Sequence, residues 1–243
     1  MSELRDQVDE TAERSGFAGV VRLEQAGAVP LDAAYGLADR RHEIAMTTDS
    51  QLGMASGSKT FTALVVLRLV EEGLLALSTT ARQVLGAGLP LIADDVTIEH
   101  LLSHRSGIGD YLDEDAVDSE EYELPVSAHR LVTTEDFLPI LDRHPAKFPA
   151  GERFSYCNGA FVVLREETLA DMRTARSEPD PGESRCYGLG VWLHAGTPQI
   201  TMSGADAGCR SGRAITPTRT TATVISTTMS GAWPVAEIVD AHA

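Results

Sequence analysis

The stretch that decides the fold of this chain is a run of seven mostly small and polar residues, Met54-Ala55-Ser56-Gly57-Ser58-Lys59-Thr60. An apolar segment with helical spacing follows it and closes at Gly73. This pattern predicts a buried helix that begins near Ser56 and ends before Gly73. Because Ser56 and Lys59 are three residues apart, one helical turn places them on the same face. The pair therefore offers a nucleophile beside a candidate base.

The use of lysine in the rest of the chain bears on this interpretation. Only Lys59 and Lys147 are lysines, and the other 18 basic residues are arginines. An arginine does not give up its proton in a protein, whereas a buried lysine can. For the tetrapeptide alone, a serine-rich helix start followed by a surface lysine is the simpler explanation. The remaining motifs therefore have to decide between the two.

Composition narrows the classes of function. The chain has 243 residues and a net charge of −16, which argues against nucleic acid and anionic membrane surfaces as partners. Its three cysteines are an odd number and include no C-x-x-C pair, which argues against a disulfide framework and against a zinc site. We therefore expect neither a metal nor a cofactor.

Hydropathy gives an expectation about location. The longest apolar run, around residues 64–70, is interrupted by Arg68 and is too short to cross a bilayer. The opening residues lack the basic segment and apolar core of a signal peptide, so a cytoplasmic location is expected.

The order of predicted elements gives the fold class. Residues 3–14 predict an amphipathic helix, and residues 17–25 and 29–36 predict a β-hairpin that turns at Ala26 and Gly27. Residues 38–49 are expected to form a loop, and the acidic run 113–123 a solvated surface. Short helices fill the middle of the chain, a linker is expected at 176–185, and four strands and a helix close it.

Strands at both ends with helices between them predict an α+β fold, an antiparallel sheet flanked by helices. The sheet domain is expected to comprise residues 1–78 and 187–243. Residues 79–186 would then form an inserted helical lobe.

Several motifs in this order resemble the serine β-lactamase-like family, which includes class C β-lactamases, D-peptidases and related esterases. Residues 56–59 match its S-x-x-K signature. Residues 101–108, LLSHRSGI, are similar to its L-L-x-H-T-S-G-L segment, and residues 149–158, PAGERFSYCN, to P-G-x-x-F-x-Y-S-N. Residues 187–190, YGLG, match the strand that follows the helical lobe.

The resemblance implies roles for particular residues. Ser56 would attack a carbonyl carbon, Lys59 with a lowered pKa would take its proton, and Tyr156 would pass a proton to the leaving group. Asn158 would hold the substrate or the lysine amine. The family's third motif, K-T-G or H-x-G, is matched best by Met202-Ser203-Gly204. Ser203, Gly204 and Ala205 would bind substrate, with the N–H groups of Ser56 and Ala205 forming an oxyanion hole.

Two departures from the family pattern affect the expected function. Met202 replaces the usual lysine or histidine, and the H-x-G at residues 194–196 falls at a predicted turn instead. The gap between the second and third motifs is also short, so the helical lobe is expected to be truncated. We therefore expect a serine hydrolase that acts on a small ester or amide, uncharged esters being favoured. The alternative is a catalytically impaired relative that binds a small molecule or partner.

The truncated lobe leads to a further expectation. Less of the chain is available to cover its apolar side chains, and an exposed apolar patch commonly marks an interface. We therefore expect a homodimer that covers this side of the lobe. The residues expected to be uncovered are Phe137, Leu138, Leu141, Phe161 and Leu164.

Overall fold

The computed structural model describes residues 2–116, 124–127, 130–131, 133–164, 185–194, 200–206, 209–215, 220–228 and 232–242. They form two compact units. Residues 1–58 and 191–243 make up the first unit, and residues 59–190 the second. The division of the sequence at residues 78 and 186 stays a prediction. The linker expected at residues 176–185 lies outside the described residues except for Arg185.

The first unit is built on an antiparallel sheet. Its long N-terminal hairpin joins β1 (Gly19–Gln25) to β2 (Ala28–Tyr35) through the predicted turn, where Ala26 and Gly27 both have positive φ. The other strands of the sheet in this unit are β6 (Trp192–His194), β7 (Ile200–Asp206), β8 (Cys209–Ile215) and β9 (Thr220–Ser226). They lie in the order β2-β1-β9-β8-β7-β6, so the N-terminal hairpin pairs with the last strand of the chain. The predicted α+β fold with an antiparallel sheet is confirmed.

Two terminal helices cover one face of this sheet. Helix α1 (Ser2–Ser15) and helix α7 (Ala232–Asp240) contribute Val8, Val235 and Val239, none of which is exposed. They pack against alternate residues of the strands, including Val21 and Val224. This alternation is the period-2 pattern that a half-buried strand requires. The helices cover it with an apolar face, which is the amphipathic pattern predicted for the first helix.

The segment expected to be a loop contains regular structure. Strands β3 (Leu37–Asp39) and β4 (Ile44–Ala45) pair with each other in a small antiparallel sheet. The carboxylate of Asp39 accepts hydrogen bonds from the backbone N–H groups of Arg41 and His42, which closes the turn between them. Short polar strands of this kind give no hydrophobic periodicity, so the sequence did not predict them.

The second unit is helical. Its helices are α2 (Ser58–Glu71), α3 (Ala81–Leu85), α4 (Ile98–Leu102), α5 (Thr134–Leu141) and α6 (Asn158–Val163). Ser58, the first residue of α2, still belongs to the first unit. The second unit also contains strand β5 (Arg185–Tyr187). Helix α4 is capped by Thr97, whose hydroxyl accepts the backbone N–H of His100 at 3.2 Å. Such short helices depend on caps and tertiary packing for stability because their intrinsic helicity is low.

The apolar residues expected to be uncovered in this unit are mostly buried. Leu141 is 4% exposed, Phe161 9% and Leu164 3%, whereas Phe137 and Leu138 are half-buried. The expectation of a broad exposed patch is therefore wrong for three of its five residues. Gly159 explains part of this packing, because Leu141 lies where a side chain at position 159 would be.

No helix in the described part of the chain is both long and apolar enough to span a bilayer.

Candidate active site

Ser56 lies in a short 3-10 turn, Ala55–Gly57, that runs directly into helix α2. The backbone before it is constrained, because Ala55 has φ of 46°, a left-handed conformation that costs a non-glycine residue free energy. The hydroxyl of Ser58 donates to the Ala55 carbonyl at 2.8 Å and holds this turn. The turn packs against β7 and β8 within the first unit. Ser56 is therefore presented at the start of a helix and beside a sheet strand.

The strand beside this turn carries the predicted substrate-binding residues. Ser203, Gly204 and Ala205 lie in β7, where their register partners in β8 are Gly212, Ser211 and Arg210. On the other side of β7, the described pairing with β6 involves only Ile200 and Thr201. Within the described strands, the later half of β7 is thus paired on one side only, as a strand that receives a substrate backbone must be.

Lys59 is buried inside the second unit. Its side chain is 8% exposed, and its Nζ donates a hydrogen bond to the Oδ1 of Asn158 at 2.7 Å. The same Nζ lies 5.1 Å from the ring centroid of Tyr156 and 5.8 Å from that of Phe161. Burial disfavours the charged form of an amine, while aromatic faces and an amide oxygen favour it. The lysine is therefore placed among polar and aromatic groups and is not a surface charge.

Tyr156 is fixed by an aromatic cluster. Its ring lies against the imidazole of His104, with centroids 4.2 Å apart and planes inclined by 30°. The neighbouring Tyr187 is completely buried, and the pKa of its hydroxyl is raised well above the usual value by burial and by the proximity of Tyr156. This packing leaves the half-buried Tyr156 ring little freedom, so the cluster sets the direction of its hydroxyl.

His104 supports this segment as a neutral ring. It is fully buried, and the pKa of its imidazole is lowered well below the usual value, first by burial and then by the charge of Lys59. Its Nδ1 accepts the backbone N–H of Cys157 at 3.0 Å, which fixes the proton on Nε2. His104 therefore has a structural role, since it holds the backbone of the segment that carries Tyr156 and Asn158.

Asn158 begins helix α6 and is held by a buried carboxylate. Asp110, 3% exposed, accepts the backbone N–H groups of Asn158 at 2.5 Å and of Gly159 at 2.9 Å. Burial raises the pKa of Asp110, and these N–H groups oppose that rise. The Asn158 side chain is thus left to bind Lys59 through its oxygen and the Oε1 of Glu114 through its nitrogen, the latter at 3.2 Å.

The start of the acidic run is exposed at residues 114–116, as expected of a solvated surface, and it also belongs to this unit's polar network. Lys147 binds Asp113 at 2.6 Å and Asp115 at 3.0 Å. Its Nζ also donates to the hydroxyl of Ser155 at 2.5 Å, and that hydroxyl donates to Asp115 at 2.5 Å. The part of the run between residues 117 and 123 lies outside the described residues.

The predicted site residues fall into two groups. The structure brings Lys59, Tyr156 and Asn158 together in the second unit. Ser56 and the strand with residues 203–205 belong to the first. The joint action of the two groups is a proposal that we develop below. Among the described residues, no cluster of histidine, cysteine, aspartate or glutamate could hold a metal ion.

Three residues with clear structural roles near Lys59 were not singled out from the sequence. Asp110 follows a glycine-rich stretch that gives no sign of a buried carboxylate, and nothing in the acidic run distinguishes Glu114 from its neighbours. Lys147 offered a signal, because it is the only other lysine of the chain. A second lysine retained among arginines indicates a position where a compact ammonium group is needed.

Comparisons with known proteins identify the family of this chain. A family model described as Beta-lactamase matches residues 4–177, and the chain belongs to this family. Esterase EstB of Burkholderia gladioli is 32% identical over 160 residues, which cover 59% of this chain and 38% of the esterase. A D-aminopeptidase of Brucella anthropi is 32% identical over 176 residues, covering 71% of this chain and 31% of the enzyme. The chain therefore spans about a third of the length of the curated relatives that it matches.

A solved structure supports the fold assignment. The penicillin-binding protein of Bacillus halodurans superposes with a TM-score of 0.85 at 23% identity, covering 97% of this chain and all of that chain. At this level of identity the likeness establishes the fold, which is the one that the motifs implied.

Proposed function

We propose that this protein is a serine hydrolase that forms an acyl-enzyme on Ser56. The observation that carries the proposal is the buried contact of Lys59 with Asn158, one helical turn after Ser56. A lysine held in this way, in a chain of the beta-lactamase family, has the surroundings that a general base requires. The names of the relatives, an esterase and a D-aminopeptidase, support an ester or amide as the substrate class.

The proposed reaction has two steps. In the first, Lys59 takes the hydroxyl proton of Ser56, whose Oγ attacks the substrate carbonyl carbon to give a tetrahedral oxyanion. The N–H groups of Ser56 and Ala205 stabilise this oxyanion, and Tyr156 passes a proton to the departing alcohol or amine. In the second, water attacks the acyl-enzyme, Ser56 regains its proton, and the acid is released.

Met202 supports an uncharged substrate. Its side chain is 8% exposed and stands where the family motif has a lysine or histidine. A thioether cannot pair with a substrate carboxylate, whereas it can contact an apolar group. We therefore propose small neutral esters as better substrates than penicillins or peptides that end in a carboxylate.

Labelling of the nucleophile tests the proposal. A fluorophosphonate should add one phosphonyl group to the wild type, and peptide mass spectrometry should place it on Ser56. Ser78→Ala is a control, because it removes an exposed serine hydroxyl that lies outside the turn with Ser56. It should be labelled as the wild type is, whereas Ser56→Ala should not. Labelling of another residue, or none at all, would refute the assignment.

The alternative is a protein that binds a small molecule or partner without turning it over. Met202 is the observation that favours it, because a missing substrate anchor can abolish catalysis while the fold remains. A neutral ester such as 4-nitrophenyl acetate separates the two. A hydrolase gives continued turnover that depends on Ser56, whereas the impaired protein gives at most one equivalent of nitrophenol.

The expected homodimer and cytoplasmic location stay predictions. Of the residues proposed to form the dimer contact, Phe137 and Leu138 alone keep substantial exposure, so the contact would be smaller than expected. Sedimentation equilibrium at micromolar concentration tests this, and a monomer would refute the dimer.

A further inference from the structure

We propose that Glu114 is a positioning residue for the amine of Lys59, acting through the side-chain amide of Asn158. The inference deepens the proposed function, since it assigns a determinant of the proton affinity of the proposed base. It depends on contacts within the second unit.

The three side chains form a continuous hydrogen-bonded chain. Lys59 Nζ donates to Asn158 Oδ1 at 2.7 Å, and Asn158 Nδ2 donates to Glu114 Oε1 at 3.2 Å. These two contacts fix the orientation of the amide, because only its oxygen can accept from an amine and only its nitrogen can donate to a carboxylate. Glu114 thus keeps the acceptor oxygen of Asn158 directed at Lys59.

The backbone around Glu114 is held on both sides. Its neighbours Asp113 and Asp115 both bind Lys147, whose side chain is 14% exposed. Asp115 also accepts a hydrogen bond from the hydroxyl of Ser155, which precedes Tyr156. Lys147 therefore links the acidic segment to the segment that carries Tyr156 and Asn158. These contacts position Glu114 beside the side-chain amide of Asn158.

The electrostatic consequence follows from the charges. Burial raises the pKa of Glu114, while the hydrogen bond with Asn158 and the charge of Lys59 oppose that rise. Above its pKa, Glu114 is a carboxylate about 7 Å from the amine, as the lengths of two hydrogen bonds and the intervening amide imply. A negative charge at this distance favours protonated Lys59, by roughly 0.4 to 1.7 pH units for effective dielectric constants of about 80 and 20.

Other charged or titratable groups surround the hydrogen-bonded side chains of Lys59, Asn158 and Glu114, and they remain unchanged when Glu114 alone is altered. Asp110 and Asp115 both act on Glu114, and Lys147 and Arg153 pair with Asp115. His104 lies close enough to Lys59 for that charge to lower the pKa of the imidazole, and Tyr156 lies beside the amine. A comparison of Glu114→Gln with the wild type therefore isolates one charge, because glutamine keeps an oxygen that can accept from Asn158 Nδ2.

The test is a direct titration of the lysine. Because the chain has only two lysines, protein labelled with [ε-13C]lysine gives two side-chain resonances in a carbon-detected spectrum. Lys147→Arg keeps a cation beside Asp113 and Asp115 and assigns the remaining resonance to Lys59. In Glu114→Gln the midpoint of the Lys59 titration should fall by at least about 0.4 pH units. Asp95→Asn, which removes an exposed carboxylate of the same unit, is the matched control and should leave it unchanged.

Two outcomes would overturn the inference. The first is an unchanged Lys59 midpoint in Glu114→Gln, and the second is an equal shift in Asp95→Asn. The titration needs no substrate, so it remains decisive even if Ser56 proves unreactive and the proposed hydrolase activity fails. Thermal unfolding of both variants shows whether the fold is kept. If Glu114→Gln is unfolded, Glu114→Ala replaces it. Alanine removes both the negative charge and the contact with the amide, so the midpoint should fall as well.

Discussion

Lys59 donates a 2.7 Å hydrogen bond to the side-chain oxygen of Asn158, a residue 99 positions further along the chain. The contact joins the start of helix α2 to the start of helix α6. Helix α6 is in turn capped by Asp110 and anchored through His104 and Cys157. The amine is therefore positioned by a buried network and not by its own helix alone. This network is the physical reason to regard Lys59 as a base.

Replacing the proposed nucleophile should abolish turnover and keep the fold. We expect Ser56→Ala to lower kcat for a neutral ester by roughly a thousandfold or more, as nucleophile replacements do in other serine hydrolases. Because a hydroxyl at a helix start contributes only about 1 kcal/mol, urea unfolding should change little. Steady-state kinetics and urea titration check the two parts. An active Ser56→Ala protein would contradict the role of Ser56.

Replacing the proposed base should separate its charge from its proton transfer. Lys59→Arg keeps a cation of similar length that does not lose its proton. We expect it to be nearly as inactive as Lys59→Ala at neutral pH, with both variants still folded. The measurement is the rate of acylation by an activated ester. Retention of most of the rate in Lys59→Arg would show that position 59 supplies only a fixed positive charge.

The predictability of this fold follows from the kind of signal each element carries. Helix α1 and the β1–β2 hairpin were predictable because their hydrophobic periods are strong and local. Tyr156 and Asn158 were predicted to act with Lys59 from short motifs whose order along the chain is specific to the family. Strands β3 and β4 and the contacts of Asp113, Glu114 and Asp115 were not predictable. They depend on tertiary pairing with distant residues, which leaves no periodic pattern.

The buried histidine should make stability depend on pH. The pKa of His104 is lowered in the folded state from the ordinary 6.5, so below about pH 6.5 the unfolded chain binds a proton that the folded chain does not. The contribution of neutral His104 to the free energy of unfolding therefore falls as pH decreases. His104→Asn keeps an acceptor for the Cys157 N–H but cannot titrate.

We expect His104→Asn to be less stable than the wild type at pH 7.5, because it loses contacts with the surrounding aromatic rings. That deficit should narrow by up to about 1.4 kcal/mol at pH 5.5. Urea unfolding of both proteins at the two pH values measures it. A deficit that stays constant would mean that the folded protein accommodates protonated His104.

The carboxylate of Asp110 should matter more for stability than its exposed neighbours. It accepts the N–H groups of Asn158 and Gly159 in a buried position, and removal of the acceptor leaves both donors unsatisfied. Each such group costs roughly 1 to 3 kcal/mol. For two such groups, we therefore expect Asp110→Ala to lower the free energy of unfolding by roughly 2 to 6 kcal/mol. Asp110→Asn, which keeps one acceptor oxygen, should lose clearly less. Exposed Asp95→Asn should change it by less than about 0.5 kcal/mol. Urea unfolding of the three variants decides the order, and an Asp110→Ala protein as stable as Asp95→Asn would show that other acceptors replace the carboxylate.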